Sequence, residues 1–324
     1  MDEQKVADSS FGDFLGAVEE KEKSLFHERR DQGIGGSDAP IICGLAAWKS
    51  PMQLWAEKSG LVPRESGAGM DTDWLDLGNF IEPFIVEKYQ KRTGLKVIRQ
   101  GRFRKHPTID FMQCHLDGKV VDPVKGEGVW EAKFINPFMA GEWNEETGEL
   151  PEKYRAQCQH NMAVTGYKYA SIAALIFGKG LVVIEIERDE QYIQALIETE
   201  AEFWKCVQDK TPPEATGADS KFLEKVYVQD PDKTVMLPAD VEILDDELLK
   251  VKEIISHSTK RKDELEATIK QTMGTGVYGV LPNGVKFTWK EQTREAFSVA
   301  SNTFRVLRRT AAPKPKTKGP GIKP

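Results

Sequence analysis

His115-Leu116-Asp117-Gly118-Lys119, followed across a short turn by Val129-Trp130-Glu131-Ala132-Lys133, is the stretch from which both fold and chemistry can be read. Side chains alternate along a strand, so Glu131 and Lys133 share one face while Trp130 and Ala132 share the other. An acid and an amine are thus displayed together. With Asp117 on the neighbouring strand of a hairpin, its carboxylate converges on that of Glu131, and the Ala132 carbonyl supplies a further hard oxygen. Magnesium prefers such oxygens, keeps several waters and bridges readily to phosphate. The arrangement suits phosphodiester hydrolysis, with Asp117, Glu131 and Ala132 holding the metal. Lys133 would orient or deprotonate the attacking water and offset charge developing on the phosphorus oxygens. Glu82 is a fourth candidate ligand, reaching the metal directly or through water; it reads equally well as a solvated acid on a helix. Taken alone, an acid and a lysine one residue apart also describe a strand edge with a salt bridge.

Working outward, Gly33, Gly35 and Gly36 precede Ser37-Asp38, a helix-start signal whose apolar run closes at Gly44. Ser50 and Pro51 open a helix over 52–59 that ends at Gly60. A third helix spans about 74–93, with Leu77, Ile81, Phe84, Ile85 and Tyr89 on one face at spacings of three and four. Extended segments follow at 96–104, 111–121 and 128–134, then a helix at 152–165, strands at 169–177 and 181–187, and a long helix ending before Thr211-Pro212-Pro213. That order predicts an α/β domain whose mixed central β-sheet is flanked by helices. Beyond it, 240–273 has helical periodicity with Leu244, Leu248, Val251, Ile254 and Ile255 as candidate buried positions. Segments 277–281 and 285–289 meet at Asn283-Gly284, a hairpin signal, and together these make a small C-terminal α+β appendage. The expected divisions are a loose arm at 1–24, the main domain at 25–217, the accessory helix and hairpin at 218–310, and a basic lysine- and proline-rich tail at 311–324.

The chain has 324 residues, 40% hydrophobic and 30% charged, an ordinary globular composition that argues against general disorder. Its apolar runs are too short to cross a bilayer, and its N-terminus lacks a signal pattern, so the expected compartment is the cytosol without membrane association. Cys43, Cys114, Cys158 and Cys206 are scattered, which argues against a zinc ribbon, an iron–sulfur cluster or a disulfide framework. A net charge of −6 disfavours a basic coat for indiscriminate polyanion binding and leaves room for a local basic channel. His106, His115 and His160 read as structural or at most DNA-contacting, because oxygen donors surround them in sequence and a magnesium site has little use for imidazole.

Five segments in order resemble the PD-(D/E)XK nuclease superfamily, specifically the YqaJ-type viral recombinase or lambda-type phage exonuclease family. They are Arg30 with Gly33-Ile34-Gly35-Gly36-Ser37-Asp38; Gly78-Asn79-Phe80-Ile81-Glu82-Pro83; Cys114-His115-Leu116-Asp117-Gly118; Glu131-Ala132-Lys133; and Tyr154-Arg155-Ala156-Gln157-Cys158-Gln159-His160-Asn161-Met162. Ile186-Glu187-Arg188-Asp189-Glu190 is similar too, so the resemblance covers about 25–210. It implies a restriction-endonuclease-like core and a Mg2+-dependent exonuclease, with Mn2+ substituting, that degrades duplex DNA ends 5′-to-3′ and leaves a 3′ strand for annealing. It further implies Asp117 and Glu131 as ligands, Lys133 as catalytic lysine, Glu82 as accessory acid, Gln157 as a positioning residue, and Arg30 with Ser37 as the 5′-phosphate anchor. Arginine's planar fork and a helix start suit that last role. Implied partners are duplex DNA ends, a single-strand annealing protein and further copies of the chain, a trimeric ring in the family, in the cytoplasm of a bacterial host of phage or prophage. The rival readings are a Cas4-like nuclease, which needs a cysteine set this chain lacks; a restriction-like endonuclease, which would cut circles; and a catalytically idle DNA-end-binding module. The segment after Thr211 has no counterpart in compact members of the family.

Overall fold

The computed structural model describes residues 29–63, 72–99, 103–227, 229–295, 298, 301 and 307–309; the arm at 1–24 and the tail at 311–324 lie outside them. Contacts divide the chain into two compact units, Met1–Tyr227 and Val228–Pro324.

In the first unit, α1 (Ala39–Ile42) and α2 (Pro51–Lys58) follow the glycine-rich loop, and α3 (Thr72–Thr93) precedes the sheet strands. The α2 start is over-determined. Ser50 accepts from the Gln53 amide and donates its own amide to the Gln53 side chain, while Pro51 needs no partner at the first helical position. Then come β1 (Lys96–Arg99), β2 (Phe103–Lys105), β3 (Gln113–His115), β4 (Gly118–Asp122), β5 (Gly126–Ile135), α4 (Glu152–Thr165), β6 (Tyr169–Ile176), β7 (Gly180–Glu187), α5 (Glu190–Gln208) and α6 (Ser220–Val226). Helix α4 stops at Gly166, whose φ of 74° is the left-handed conformation glycine adopts without steric cost. Asp189 caps α5 by accepting from the Gln191 and Tyr192 amides.

The main sheet runs β1-β4-β5-β6-β7, antiparallel except for the β5–β6 pair, which is parallel and joined through α4. This is the mixed central sheet flanked by helices that the order of elements in the sequence predicts. Strand β6 lies inside the sheet, between β5 and β7, and is buried along nearly its whole length, as a strand covered on both faces must be. On one face Ile85 and Tyr89 of α3 pack against Val120, Trp130, Tyr169 and Ala173. On the other, Cys158 and Met162 of α4 and Ile193 of α5 pack against Val129, Ile172, Ala174 and Ile184. The α3 face is narrower than its periodicity suggests: Leu77 and Phe84 are exposed, and the buried stripe is Ile85 and Tyr89 with Ile81 at its edge. A third cluster, Ile34, Leu54 and Trp55 with Phe203 and Val207, fixes the glycine-rich loop and α2 onto α5.

Two extended segments divide. Residues 96–104 contribute β1 to the main sheet and β2 to a separate ribbon, and residues 111–121 contribute β3 to that ribbon and β4 to the main sheet. Chain geometry explains this: His115 pairs with Phe103, whereas Gly118 pairs with Arg99, so the chain changes sheets at Leu116-Asp117.

The first unit extends past residue 217. Asp219 is fully buried and accepts from the Ser50 hydroxyl and from Thr216; burial pushes its carboxyl up, but those hydrogen bonds together outweigh it and hold the group below its usual range. Phe222 of α6 packs beside the α2–α5 cluster.

In the second unit, α7 (Asp240–Met273) leads to a hairpin of β8 (Tyr278–Val280) and β9 (Lys286–Thr288), with Gly284 at φ 84° in its turn. Leu244, Leu248, Val251, Ile254 and Ile255 were expected to be buried; all are exposed. The hairpin's three-residue strands are too short to cover a 34-residue helix; its Gly279 lies beside Met273, at the helix's last turn.

Candidate functional site

Asp117 immediately precedes β4, where Gly118 pairs with Trp130; one further step of that register sets Asp117 opposite Glu131. The Ala132 amide donates to Asp117 Oδ2 at 3.0 Å. Because the N–H and C=O of one strand residue point the same way, the Ala132 carbonyl is directed toward Asp117 as well.

Glu131 is 2% exposed and lies on the α4 side of the sheet. Its Oε1 accepts from Lys133 Nζ at 2.6 Å and from Gln157 Nε2 at 2.5 Å, and Oε2 accepts from Asn161 Nδ2 at 3.4 Å. Gln157 and Asn161 are four residues apart on α4, one turn, so both reach the same carboxylate. Tyr154, a turn earlier, lies beneath the ammonium, with Lys133 Nζ 5.7 Å from its ring centre. Burial, and then the Asp117 carboxylate, push Glu131 up to about 7, against the pull of Lys133. Lys133 is itself held above its usual range: burial opposes its charge, but the Glu131 and Asp117 carboxylates outweigh that. Lys133 therefore stays an ammonium.

Glu82 sits at the same end of the sheet but in a different partnership. Arg99, which pairs with Gly118 across the β1–β4 ladder, holds Glu82 Oε1 at 2.9 Å. Among the described residues no group of three or more His, Cys, Asp or Glu side chains clusters at metal-holding distance. The structure thus brings Asp117, Glu131, Ala132, Lys133 and Gln157 together and leaves Glu82 bound to Arg99. Two carboxylates and a carbonyl fit a hard divalent cation that keeps several waters. A buried acid whose proton affinity is raised beside a second acid fits a site short of positive charge.

The second cluster is the glycine-rich loop. Arg30 donates to Ser37 Oγ at 2.7 Å, and its guanidinium lies 3.6 Å from Asp38. Ser37 is not the helix cap that a Ser-Asp pair suggests. The cap position falls on Asp38, whose Oδ2 accepts from the Gly35 amide at 3.0 Å, and α1 is only four residues long. Ser37 is left exposed beside Arg30, free of a capping duty. Behind it, Lys58 is fully buried and its ammonium reaches Asp38 Oδ2 at 2.9 Å and the carbonyls of Arg30 and Gly33 at 3.0 and 2.6 Å.

The two clusters touch through Asn161. A Cβ placed on Gly36 would lie 2.2 Å from Asn161 Oδ1, so the residue before Ser37 packs directly on the amide that reaches Glu131. Asn161 stands in a family-like segment, and its one-turn spacing from Gln157 is the sequence signal that marks it; Lys58 carries no comparable signal.

His160 is fully buried, with Nδ1 2.7 Å from Glu200 Oε1 and Nε2 2.9 Å from the Gln113 carbonyl. Gln113 in turn donates to the carbonyls of Arg29 and Arg30. His160 therefore supports the loop, with its two ring nitrogens committed to Glu200 and to the Gln113 carbonyl. Cys114 and Cys158 are buried and Cys43 and Cys206 half-buried, all as free thiols. No helix among the described residues is long and apolar enough to cross a membrane.

Residues 25–168 match the YqaJ-like viral recombinase domain. YqaJ of Bacillus subtilis (strain 168) is 34% identical over 269 residues, 81% of each chain. Among solved structures, the alkaline exonuclease LHK-Exo from Laribacter hongkongensis superposes with a TM-score of 0.48 at 23% identity, covering 58% of this chain and 94% of that one. A phage-related exonuclease from Haemophilus somnus 129PT gives 0.43 at 14% identity, over 55% and 94%. With a relative this similar along four-fifths of both sequences, the chain belongs to the YqaJ-like viral recombinase family.

Proposed function

We propose that this protein is a magnesium-dependent exonuclease that digests one strand of duplex DNA from its 5′ end. It leaves a 3′ single strand for an annealing partner in phage-type recombination in the bacterial cytoplasm. The observation that carries the reading is the convergence of Asp117, the Ala132 carbonyl and Glu131 with the Lys133 ammonium, a side chain's width from the Arg30–Ser37 pair.

Asp117, Glu131 and the Ala132 carbonyl would hold the cation. Bound there, Mg2+, with Mn2+ able to substitute, supplies Lewis-acid polarisation of the phosphate and a more acidic water. Gln157 and Asn161 fix the Glu131 carboxylate, so its orientation is set before substrate arrives. Lys133, whose ammonium lies 2.6 Å from Glu131, orients the attacking water and serves as a charged donor to the phosphate oxygens as negative charge grows. Arg30 presents its fork and Ser37 its hydroxyl to a terminal 5′-phosphate, the group that distinguishes an end from an internal linkage. Glu82, tied to Arg99 at the same end of the sheet, is an accessory acid in this scheme.

The test compares linear duplex with and without 5′-phosphate and a covalently closed circle, each with magnesium or chelator. Hydrolysis of the phosphorylated linear duplex, abolished by chelator and reduced at least 100-fold by Lys133→Ala on the order expected for loss of a charge-stabilising donor, supports the reading. Cutting of the circle at a comparable rate refutes it.

A further inference from the structure

The second unit carries a pattern unconnected with the nuclease site. Along α7, apolar residues recur at alternating spacings of three and four. One seam row is Val241, Leu248, Ile255, Lys262 and Ile269; the other is Leu244, Val251, Ser258, Leu265 and Thr272. These rows correspond to positions a and d of a heptad. A repeat of 3.5 rather than 3.6 residues keeps its stripe facing another helix that winds with it, whereas a helix lying on a sheet has no need of that period. No residue of α7 is buried within its own unit, and Leu244, Val251, Ile255 and Leu265 are 62, 44, 58 and 48% exposed.

We propose that α7 pairs with α7 of a second copy of this chain as a parallel, in-register, two-stranded coiled coil. Charge selects the partner and its direction. In a parallel pair each g residue faces the e residue of the next heptad on its partner. Glu247 then meets Lys252 and Arg261 meets Glu266, and symmetry doubles both pairs. The like pair this creates, Asp240 with Asp245, is relieved because Arg309 already grips Asp245 through both carboxylate oxygens at 2.7–3.0 Å. A fully overlapped antiparallel pair would instead oppose Asp245 to Glu266 and Ile254 to Arg261, with no opposite charges matched. The seam chemistry agrees. Val, Ile and Ile in the a row with Leu at two d positions favour two strands. Lys262, the one charged seam residue, turns its ammonium outward to Asp263 and Glu266 at 3.1 and 3.5 Å, leaving its stem along the seam. Such a polar layer fixes register at some cost in stability.

The test uses the full chain. Light-scattering mass is measured for the unmutated protein and for L248D/I255D. With a first unit that is monomeric or forms a ring of three, the variant is expected at half the mass; an unchanged mass or a threefold ratio overturns the proposal. Independently, Thr272→Cys places a thiol in a d layer near the helix end, where a parallel partner brings the identical position within disulfide reach and an antiparallel one does not. Mild oxidation is expected to give a covalent dimer on a denaturing gel, absent from the chain with its four native cysteines alone. Failure of Thr272→Cys to cross-link overturns the parallel pairing even if the mass result holds.

Discussion

Replacing Lys58 with methionine keeps the buried stem and removes only the ammonium. That group is fully shielded from water, and its three N–H directions go to Asp38 at 2.9 Å and to the Arg30 and Gly33 carbonyls at 3.0 and 2.6 Å. Asp38 is 1% exposed and would lose its 2.9 Å ion pair, while Arg30 stands farther off at 3.6 Å and the Gly35 amide is neutral. Stranding one member of a buried pair costs about 3–5 kcal/mol. For a unit of this size each kcal/mol lowers the melting temperature by about 2–4 °C, giving a fall of roughly 6–20 °C. Urea unfolding followed by tryptophan fluorescence and by far-UV circular dichroism measures the loss. Asp38→Asn combined with Lys58→Met should recover much of it, because the uncompensated charge is then gone. Lys125→Met, which breaks an ion pair with Glu185 that is exposed at both ends, should shift the unfolding midpoint little, because water already screens that pair. A Lys58→Met loss no larger than that of Lys125→Met would refute the reasoning. In the proposed reaction Lys58→Met also loosens the Arg30–Ser37 pair, so preference for phosphorylated ends should weaken along with stability.

Both ring nitrogens of His160 face acceptors, Glu200 and the Gln113 carbonyl, so the ring is an imidazolium whose pKa is raised: burial opposes the charge, and Glu200 with the two hydrogen bonds overcomes it. A raised folded-state value gives stability that is complete below the unfolded value of about 6.5 and lost as pH rises through the folded one. The unmutated chain should therefore lose urea stability relative to H160Q/E200Q as pH climbs from 6.5 into the alkaline range; a difference that stays flat or grows would contradict the assignment. At Gly36, alanine must displace the buried Asn161 amide, and overpacking of that kind costs about 1–3 kcal/mol. Gly35→Ala, whose new Cβ meets nothing nearer than Asp38 Oδ2 at 3.6 Å, should unfold at nearly the urea concentration of the unmutated chain, and equal losses at the two glycines would show that the close approach does not matter.

Much of the first unit was legible because its patterns are local. Alternation from Val129 to Ile135 separates the two sheet faces, and the short turn after Asp122 sets the register that brings Asp117 opposite Glu131. Helix α4 begins and ends where its periodicity and Gly166 predict. Gln157 could be named only through family resemblance, since nothing near it in sequence says that α4 crosses above β5. The pairing of Lys58 with Asp38 is illegible for a stronger reason: it depends on the glycine-rich loop folding back over α2, a contact across 20 residues without periodicity. The stripe of α7 teaches the converse. Its periodic face is real, but periodicity reports that a face exists and not what will cover it.

Asn161 fills the gap between Gly36 and Glu131 with an amide held in the protein interior. In the proposed reaction, that filled gap acts as a spacer bar: where the strand's end is gripped and where its backbone is cut cannot drift apart independently. The length of each bite is then set by the bulk of a single side chain.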